Sequence, residues 1–82
     1  MYEVVLSKSA KKDLTNLPED IRERIIGVLE RISVSPHRHA RKLSGMEDYR
    51  VRVGKYRIII DINEKAKRIE VLRIGNRENI YL

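Results

Sequence analysis

The sequence predicts an α+β domain in which one strand and a helical hairpin precede three further strands. Apolar residues recur every three or four positions between residues 10 and 32, which is the helical period. Residues 47–75 instead carry alternating or continuous apolar runs, which are typical of strands. The order β-α-α-β-β-β favours a two-helix antiparallel hairpin packed on a largely antiparallel four-stranded sheet. The 82 residues are enough for one domain, residues 1–82.

The N-terminal half supplies the first strand and both helices. Residues 2–6 form a short β-rich run. Ser7 or Ser9 then caps a helix that ends at Pro18, and this proline suits the first turn of the next helix. The apolar stripes of the two helices are Ala10, Leu14 and Leu17, followed by Ile21, Ile25, Val28, Leu29 and Ile32. We expect both stripes to pack on the sheet.

The C-terminal half supplies three strands, near residues 47–54, 56–63 and 67–75. The continuous apolar run at residues 58–60 predicts that the middle one of these is central in the sheet. Residues 37–44 are expected to be basic and irregular. Arg73 interrupts the last strand, and we expect it to pair with a carboxylate such as Asp61.

Composition excludes several classes of protein. Cysteine is absent, so neither a disulfide framework nor a thiolate metal site is available. The sequence contains no apolar run of membrane-spanning length, no signal peptide, no P-loop and no zinc motif. Four tyrosines without Phe or Trp are too few for a base-stacking platform. We therefore expect a cytoplasmic protein with no membrane contact and no cofactor.

Positive charge is concentrated in one quarter of the chain. The formal net charge is +6, and residues 37–57 contain seven Lys and Arg against Glu47 and Asp48. A local excess of this kind is typical of proteins that bind a polyanion. An acidic protein partner would require the same pattern, so charge alone leaves both partners open.

A short arginine-rich hairpin is the best candidate for a binding site. Arg50 and Arg52 are two residues apart, so on a strand they leave the same face. Gly54-Lys55 suits a two-residue turn with positive φ at its first position. Arg57 then begins the returning strand, within cross-strand reach of the first two arginines. Three guanidinium groups on one small surface favour a phosphate ligand.

Other polar residues carry weaker signals. His37 and His39 form an H-x-H pattern, but no third ligand is spaced to complete a metal site, so a basic loop is the preferred interpretation and no metal is expected. Glu47 and Asp48 are adjacent, face opposite ways on a strand and make a poor acid–base pair.

Three groups of residues closely resemble the RelE branch of the RelE/ParE toxins. They are Lys42-Leu-x-Gly45, then Tyr49-Arg50-x-Arg52-Val-Gly-x-Tyr56-Arg57, and finally Ile-Gly75-x-Arg77-x-x-Ile-Tyr81. The resemblance covers essentially the full chain. The pattern from 42 to 57 is shared by both branches, whereas Arg77 and Tyr81 indicate the RelE branch.

The resemblance implies a ribosome-dependent endoribonuclease that cuts messenger RNA and is blocked by an antitoxin. Arg57 would contact the scissile phosphate, Arg77 would be a second site arginine, and Tyr81 would stack on the base and move a proton. Arg50 and Arg52 stand where the best-known pattern has lysines. Some relatives carry His where this chain has Asn76 and Ile80. The implied site residues are Arg50, Arg52, Arg57, Arg77 and Tyr81, with Arg41, Lys42 and Lys55 as further RNA-binding residues.

Such a site is strong in charge stabilisation and weak in proton transfer. Arginine stays protonated near pH 7, and tyrosine titrates near pH 10, so Tyr81 is the best candidate for moving a proton. The resemblance also implies a RelB-like antitoxin in a toxin–antitoxin hetero-oligomer, and we expect the antitoxin to use an acidic segment.

Three other functions fit the same residues. A ParE-like inhibitor of DNA gyrase would have this fold and no RNA chemistry. A non-catalytic nucleic-acid-binding domain would use the arginines only to hold phosphates. A degenerate relic would bind an antitoxin without being toxic.

Overall fold

The computed structural model of the chain describes residues 1–42 and 48–76. These residues form three helices and five strands, which confirms the α+β class. The elements in chain order are β1 (Glu3–Leu6), α1 (Lys8–Thr15), α2 (Glu19–Val34), α3 (Pro36–His39), β2 (Arg41–Lys42), β3 (Tyr49–Val53), β4 (Tyr56–Asn63) and β5 (Arg68–Asn76). None of the helices in this part of the chain has the length and apolar character needed to cross a bilayer.

The sheet has the strand order β1-β5-β4-β3-β2. Strand β1 runs parallel to β5, and every other neighbouring pair is antiparallel. The prediction that residues 56–63 form the central strand is confirmed, because β4 lies between β5 and β3.

Two predictions were wrong. Within the described residues the sheet has five strands instead of four, and residues 37–42, which were expected to be irregular, contain a short helix and a short strand. Pro36 begins the single-turn helix α3, a position where its missing N–H costs nothing. Arg41 and Lys42 then pair with Arg50 and Tyr49 as a fifth, edge strand. Two residues are too few to produce a strand pattern in sequence, so only the pairing itself reveals β2.

Local sequence accounts for the ends of the two long helices. The Ser7 side chain caps α1, since its Oγ accepts a hydrogen bond of 3.0 Å from the N–H of Ala10. Pro18 lies immediately before α2, and Glu19 and Asp20 follow in its first turn. Carboxylates at that end interact favourably with the helix dipole.

The hydrophobic core lies between α2 and one face of the sheet. Helix α2 contributes Ile25, Val28, Leu29 and Ile32, as its sequence stripe predicts. The sheet contributes Val51, Val53, Ile58, Ile60, Ile69, Val71 and Ile74. The opposite sheet face carries the side chains that alternate with these, and we call it the open face.

A β-bulge in β5 sets which of its residues reach the core. Ile59 pairs with Arg73 and Ile60 pairs with Val71, so Leu72 is left without a direct partner on β4. This extra residue allows Val71 and Ile74, three positions apart, to face the core together. Arg73 therefore lies on the open face.

Strand β5 continues beyond the end of β1, and there helix α1 lies beside the edge of β5 that β1 leaves unpaired. The register of β1 with β5 ends at Leu6 opposite Val71. Further along, a carboxylate oxygen of Asp13 accepts a hydrogen bond of 2.9 Å from the backbone N–H of Ile74. The carboxylate thus occupies a position that a longer β1 would fill.

Candidate nucleic-acid interface

The arginine hairpin forms as its sequence predicts. Gly54 has a φ of 58°, a conformation that glycine adopts without steric cost. The turn sets Arg52 directly opposite Arg57, and Arg50 opposite Ile59. Strand β2 extends the same row, because Arg41 pairs with Arg50. Four arginines from three strands therefore share the open face, and we call them the arginine face: Arg41, Arg50, Arg52 and Arg57.

The cations around this hairpin are not neutralised within the described residues. Ion pairs in that part of the chain join His37 and Lys67 to Glu64, Arg68 to Glu3, and Arg73 to Asp13. They include no residue of the arginine face, and neither Lys42 nor Lys55. Like charges directly opposite on neighbouring strands are destabilising. Repulsion between Arg52 and Arg57 therefore lowers the free energy of unfolding. Such a loss of stability is expected for a surface that is retained for binding.

A buried apolar residue, Ile59, lies two positions from Arg57 on the open face. Ile59 is 1% exposed although it lies outside the core cluster. On the open face Ile59 pairs with Arg50 of β3 and with Arg73 of β5, and Arg57 lies two positions before it on β4. Long arginine stems cover apolar surface in this way while their charged ends stay accessible.

The Nε atom of Arg57 is buried and has no hydrogen-bond partner within the described residues. A buried donor without an acceptor costs about 1–3 kcal/mol. An oxyanion bound beside Arg57 would supply the missing acceptor. The geometry therefore favours a phosphate or carboxylate ligand at this position.

Comparison with known proteins identifies the family of this chain. The family described as the ParE toxin of type II toxin-antitoxin system, parDE, matches residues 4–81. The chain belongs to this toxin family. Its relatives place it on the RelE branch of the superfamily, which confirms the resemblance noted in the sequence.

Two kinds of relative support that placement. Toxin RelE3 of Methanocaldococcus jannaschii is 34% identical over 84 residues, covering 95% of this chain and 93% of that protein. The archaeal RelE–RelB complex from Pyrococcus horikoshii contains a chain that is 29% identical, with a TM-score of 0.81 and coverage of 96% and 98%. The RelBE2 complex of Mycobacterium tuberculosis gives 25% identity, a TM-score of 0.86 and coverage of 93% and 98%.

Two predicted site residues of this RelE-like chain, Arg77 and Tyr81, lie outside the described residues, as does Glu47. Strand β5 ends at Asn76, next to Arg77 in the chain, and Gly75 pairs with Arg57. The described structure thus brings together Arg41, Arg50, Arg52 and Arg57, with Lys42 beside them on β2 and Lys55 in the turn. The placement of Arg77 and Tyr81 remains a prediction.

Arg73 pairs with a carboxylate, but the predicted partner Asp61 was wrong. Its Nε donates to Asp13 at 2.9 Å and its Nη2 donates at 3.4 Å. Burial is the largest influence on the pKa of Asp13 and raises it. The hydrogen bonds from Arg73 and Ile74, with the charges of Arg73 and Lys12, outweigh burial and hold the pKa below its ordinary value. Asp13 lies 60 residues away in sequence, so no local pattern pointed to it.

His37 belongs to a polar cluster between α3 and the turn that follows β4. Its Nε2 contacts Glu64, and the hydroxyl of Tyr2 donates to the same carboxylate at 2.7 Å. These hydrogen bonds, first from His37 and then from Tyr2, lower the pKa of Glu64. Within residues 1–42 and 48–76 no group of three His, Cys, Asp or Glu is placed to hold a metal ion. The cluster ties α3 to the turn between β4 and β5.

An apolar groove that sequence reasoning missed lies on the other side of the molecule. It has a volume of about 390 Å³, and its lining comes from β1, α1 and α2: Tyr2, Val4, Leu6, Leu14, Ile26, Leu29, Glu30 and Ser33. Strand β1 is the end strand of the sheet, so its outer edge has no strand partner within the described residues. Ile26 was the available signal, because it is apolar but falls outside the core stripe of α2 and is 41% exposed.

Proposed function

We propose that this protein is the toxin of a type II toxin–antitoxin system and a ribosome-dependent endoribonuclease that cuts messenger RNA. The observation that carries the proposal is the opposed pair Arg52 and Arg57, unneutralised on the open face, with the Nε of Arg57 buried and unpaired. A phosphodiester of an RNA strand would satisfy both the charge and the missing hydrogen bond. Membership of the toxin family supports the cellular role.

The proposed reaction begins with attack of the ribose 2′-hydroxyl on the adjacent phosphorus. The 2′-oxygen–phosphorus bond forms, the bond from phosphorus to the 5′-oxygen breaks, and a cyclic phosphate is left on the upstream fragment. The 2′-hydroxyl loses a proton and the 5′-oxygen gains one. Arg57 and Arg52 donate hydrogen bonds to the non-bridging oxygens, whose charge increases in the transition state. Loss of one such donor typically costs a factor of about 10²–10³ in rate.

Proton transfer is the weaker part of this site. Arginine stays protonated near neutral pH and cannot serve as a base. In the proposal Tyr81 moves the proton, and Arg77 adds a further donor to the phosphate. His37 already contacts Glu64, so the proposal does not assign the proton to it.

The ribosome would supply what the open face lacks. The arginine face is part of a sheet surface, and correct placement of the 2′-hydroxyl in line with the leaving oxygen requires a partner that holds the strand. Enforced geometry can contribute about 7–11 kcal/mol to a reaction of this type. A message fixed in the decoding site would provide that geometry.

The test compares cleavage of one message free in solution and bound to ribosomes. We expect cleavage of the ribosome-bound message to be faster by roughly a thousandfold or more. Mapping of 5′ ends after brief expression in cells identifies the cut positions. Equal rates on free and bound message would contradict ribosome dependence, and intact message in both would contradict nuclease activity.

An antitoxin is the proposed protein partner, since solved relatives include complexes of RelE with RelB antitoxins. We propose a hetero-oligomer in which an acidic segment of the antitoxin neutralises the arginine face. Its affinity is then expected to fall as salt rises, because charge attraction between exposed groups is screened. An affinity independent of salt would remove this part of the proposal.

The apolar groove would accept a second, apolar part of the same antitoxin. Ile26→Glu introduces a charge into the groove and is expected to weaken antitoxin binding while leaving message cleavage unchanged. Val34→Glu is the matched control, because Val34 is 61% exposed and does not line the groove. Equal effects of both variants would place the antitoxin elsewhere.

Inhibition of DNA gyrase is the second candidate, favoured by the ParE description of the matching family. In that case the purified protein would inhibit DNA supercoiling and leave messenger RNA intact. Both readouts on the same preparation separate the two activities.

A further inference from the structure

Two arginines of α2 lie on the side of the helix that faces away from the apolar groove. Arg24 and Arg31 are seven residues apart, so they lie two turns apart on one side of the helix. Ile26, Glu30 and Ser33 line the groove on the opposite side. Both arginines are exposed. We call Arg24 and Arg31 the basic flank.

The basic flank adjoins the arginine hairpin. The Nη1 atom of Arg24 lies 3.3 Å from the position that a Cβ at Gly54 would take, so this guanidinium lies against the β3–β4 turn. Lys55 is the next residue of that turn. Because the groove lies on the β1 side of α2, the flank faces the other end of the sheet, where β2 presents the exposed Arg41 and Lys42. Positive charge therefore continues from the arginine face round this end of the sheet to the helical layer.

The flank is not neutralised by nearby carboxylates. Asp20 precedes Arg24 by four residues, a spacing that suits an ion pair on a helix. Within residues 1–42 and 48–76, however, the ion pairs and side-chain hydrogen bonds include neither Arg24 nor Arg31. Arg22, by contrast, binds three backbone carbonyl groups. Of Arg22, Arg24 and Arg31, only Arg24 and Arg31 therefore have guanidinium groups available to a binding partner.

The surface between the two arginines suits a nucleic acid better than a protein. Gly27 lies between them, and a Cβ there would meet no atom within 4 Å. Hot spots of protein interfaces combine arginine with aromatic anchors. No aromatic residue lies between Arg24 and Arg31, and the exposed apolar Val34 lies one turn beyond Arg31. Interfaces with nucleic acid are more polar and positively charged. The two Cα positions are separated by about 10 Å along the helix axis, enough to reach more than one phosphate group.

We propose that the basic flank, together with Lys55, binds the phosphate backbone of double-helical RNA beside the cleaved strand. This inference rests on the proposed function, because a nuclease that acts on the ribosome approaches its message among folded RNA helices. A single strand on the arginine face contacts one side of the sheet. The basic flank lies on α2, beside the β3–β4 turn and outside the sheet surface. A duplex is thicker than a single strand, so a duplex next to the arginine face could also reach the flank. Proteins recognise such duplexes mainly through shape and phosphate contacts.

The test measures binding of the intact protein to a fully base-paired RNA hairpin and to a single-stranded RNA of the same length. For the double variant Arg24→Gln and Arg31→Gln, we expect duplex affinity to fall roughly tenfold, and the dependence of log K on log salt to become shallower by about 2. Binding of the single strand is expected to change less than twofold. Arg24→Lys with Arg31→Lys should retain the salt dependence, since both charges remain.

The matched control is Lys8→Gln with Lys11→Gln, which removes the same charge from the exposed face of α1, next to β1 and β5. An equal loss of duplex binding in this control, or an equal loss of single-strand binding in the flank variant, would overturn the inference. Message cleavage by the unmodified protein is measured in parallel. If the unmodified protein does not cleave message but the flank variant loses duplex binding as expected, only the proposed function is contradicted. If the unmodified protein cleaves message but the flank variant binds the duplex as well as the parent, only the role of the flank is contradicted.

Discussion

Arg57 meets opposite requirements from folding and from ligand binding. Its charge lies opposite that of Arg52, and its Nε is buried without an acceptor. Removing the side chain relieves both costs but takes away the donor on which the proposed reaction depends. The stability and the activity of a variant at this position should therefore change in opposite directions.

We predict that Arg57→Ala lowers message cleavage by about 10²–10³ while leaving the thermal midpoint unchanged or raised. Arg57→Lys retains the charge but loses the planar pair of donors, so cleavage should recover only in part. Arg68→Ala, which removes an exposed arginine of β5 paired with Glu3, is the control and should cleave normally. Full activity of Arg57→Ala would show that this residue is outside the reaction site.

Asp13 is a partly buried carboxylate through which pH should act on stability, in addition to the exposed Glu64. Its pKa in the folded protein is lowered, so its contribution is fully present above its ordinary pKa of about 3.9 and is lost as pH falls through the folded value. Asp13→Asn should remove this acid-dependent loss. At pH 7, Asp13→Ala should cost about 2–3 kcal/mol, because Arg73 and the N–H of Ile74 lose their acceptor.

Urea unfolding of these variants at several pH values measures both effects. Glu70→Gln is a suitable control, since Glu70 is an exposed carboxylate on β5 that takes no part in this contact. Identical pH profiles for Asp13→Asn and the parent protein would contradict the assignment.

One side chain, that of Arg22, connects the end of α1 to α2. Arg22 donates to the backbone oxygens of Leu14, Thr15 and Leu17 at 3.3, 3.5 and 3.0 Å. These carbonyls lie at the C-terminal end of α1 and in the link that follows, where the regular helical hydrogen bonds end. The guanidinium therefore fixes the angle at which the two helices meet.

Arg22→Ala is predicted to lower the free energy of unfolding by about 1–2 kcal/mol, seen as a lower urea midpoint with an unchanged m-value. Glu23→Ala, at the exposed neighbouring position, should stay within about 0.5 kcal/mol of the parent. A loss of similar size in both variants would mean that helix propensity, rather than the carbonyl contacts, determines the effect.

Sequence reasoning succeeded where elements are local. The hairpin from β3 to β4 follows from strand alternation and one glycine, so Arg50, Arg52 and Arg57 were placed together correctly. Sequence reasoning failed where a tertiary contact determines the local structure or the partner of a side chain. The two-residue strand β2 exists only because β3 offers an edge, and Asp13 meets Arg73 only because β1 stops at Leu6. The bulge at Leu72 did leave a signal, since Val71 and Ile74 are three apart within a strand.

At the scale of the whole molecule, the surface is divided between two kinds of chemistry. The β1 side presents the apolar groove, and the β2 side presents the arginine face and the basic flank. A net charge of +6 on 82 residues destabilises the compact state by self-repulsion. This cost falls chiefly on the β2 side, where described ion pairs are few.

Added salt should therefore stabilise this protein. Between about 10 mM and about 150 mM salt we predict an increase in the thermal midpoint of roughly 2–4 °C, from screening worth about 0.5 kcal/mol. Arg52→Gln should raise the midpoint at low salt and reduce the response, because it removes the opposed charge. A midpoint that falls with salt would mean that attraction within ion pairs outweighs the repulsion.

The parallel pairing of β1 with β5 joins residues 3–6 to residues 68–71. Neither the edge of β5 nor the groove beside β1 can form until residues 68–71 have been synthesised, because the pairing spans 65 positions and such distant contacts close late. Residues 1–67 alone therefore cannot complete the sheet. Under the proposed function, a growing chain that lacks β5 is inactive towards the ribosome that is making it, and an antitoxin would need to capture only chains in which β5 is present.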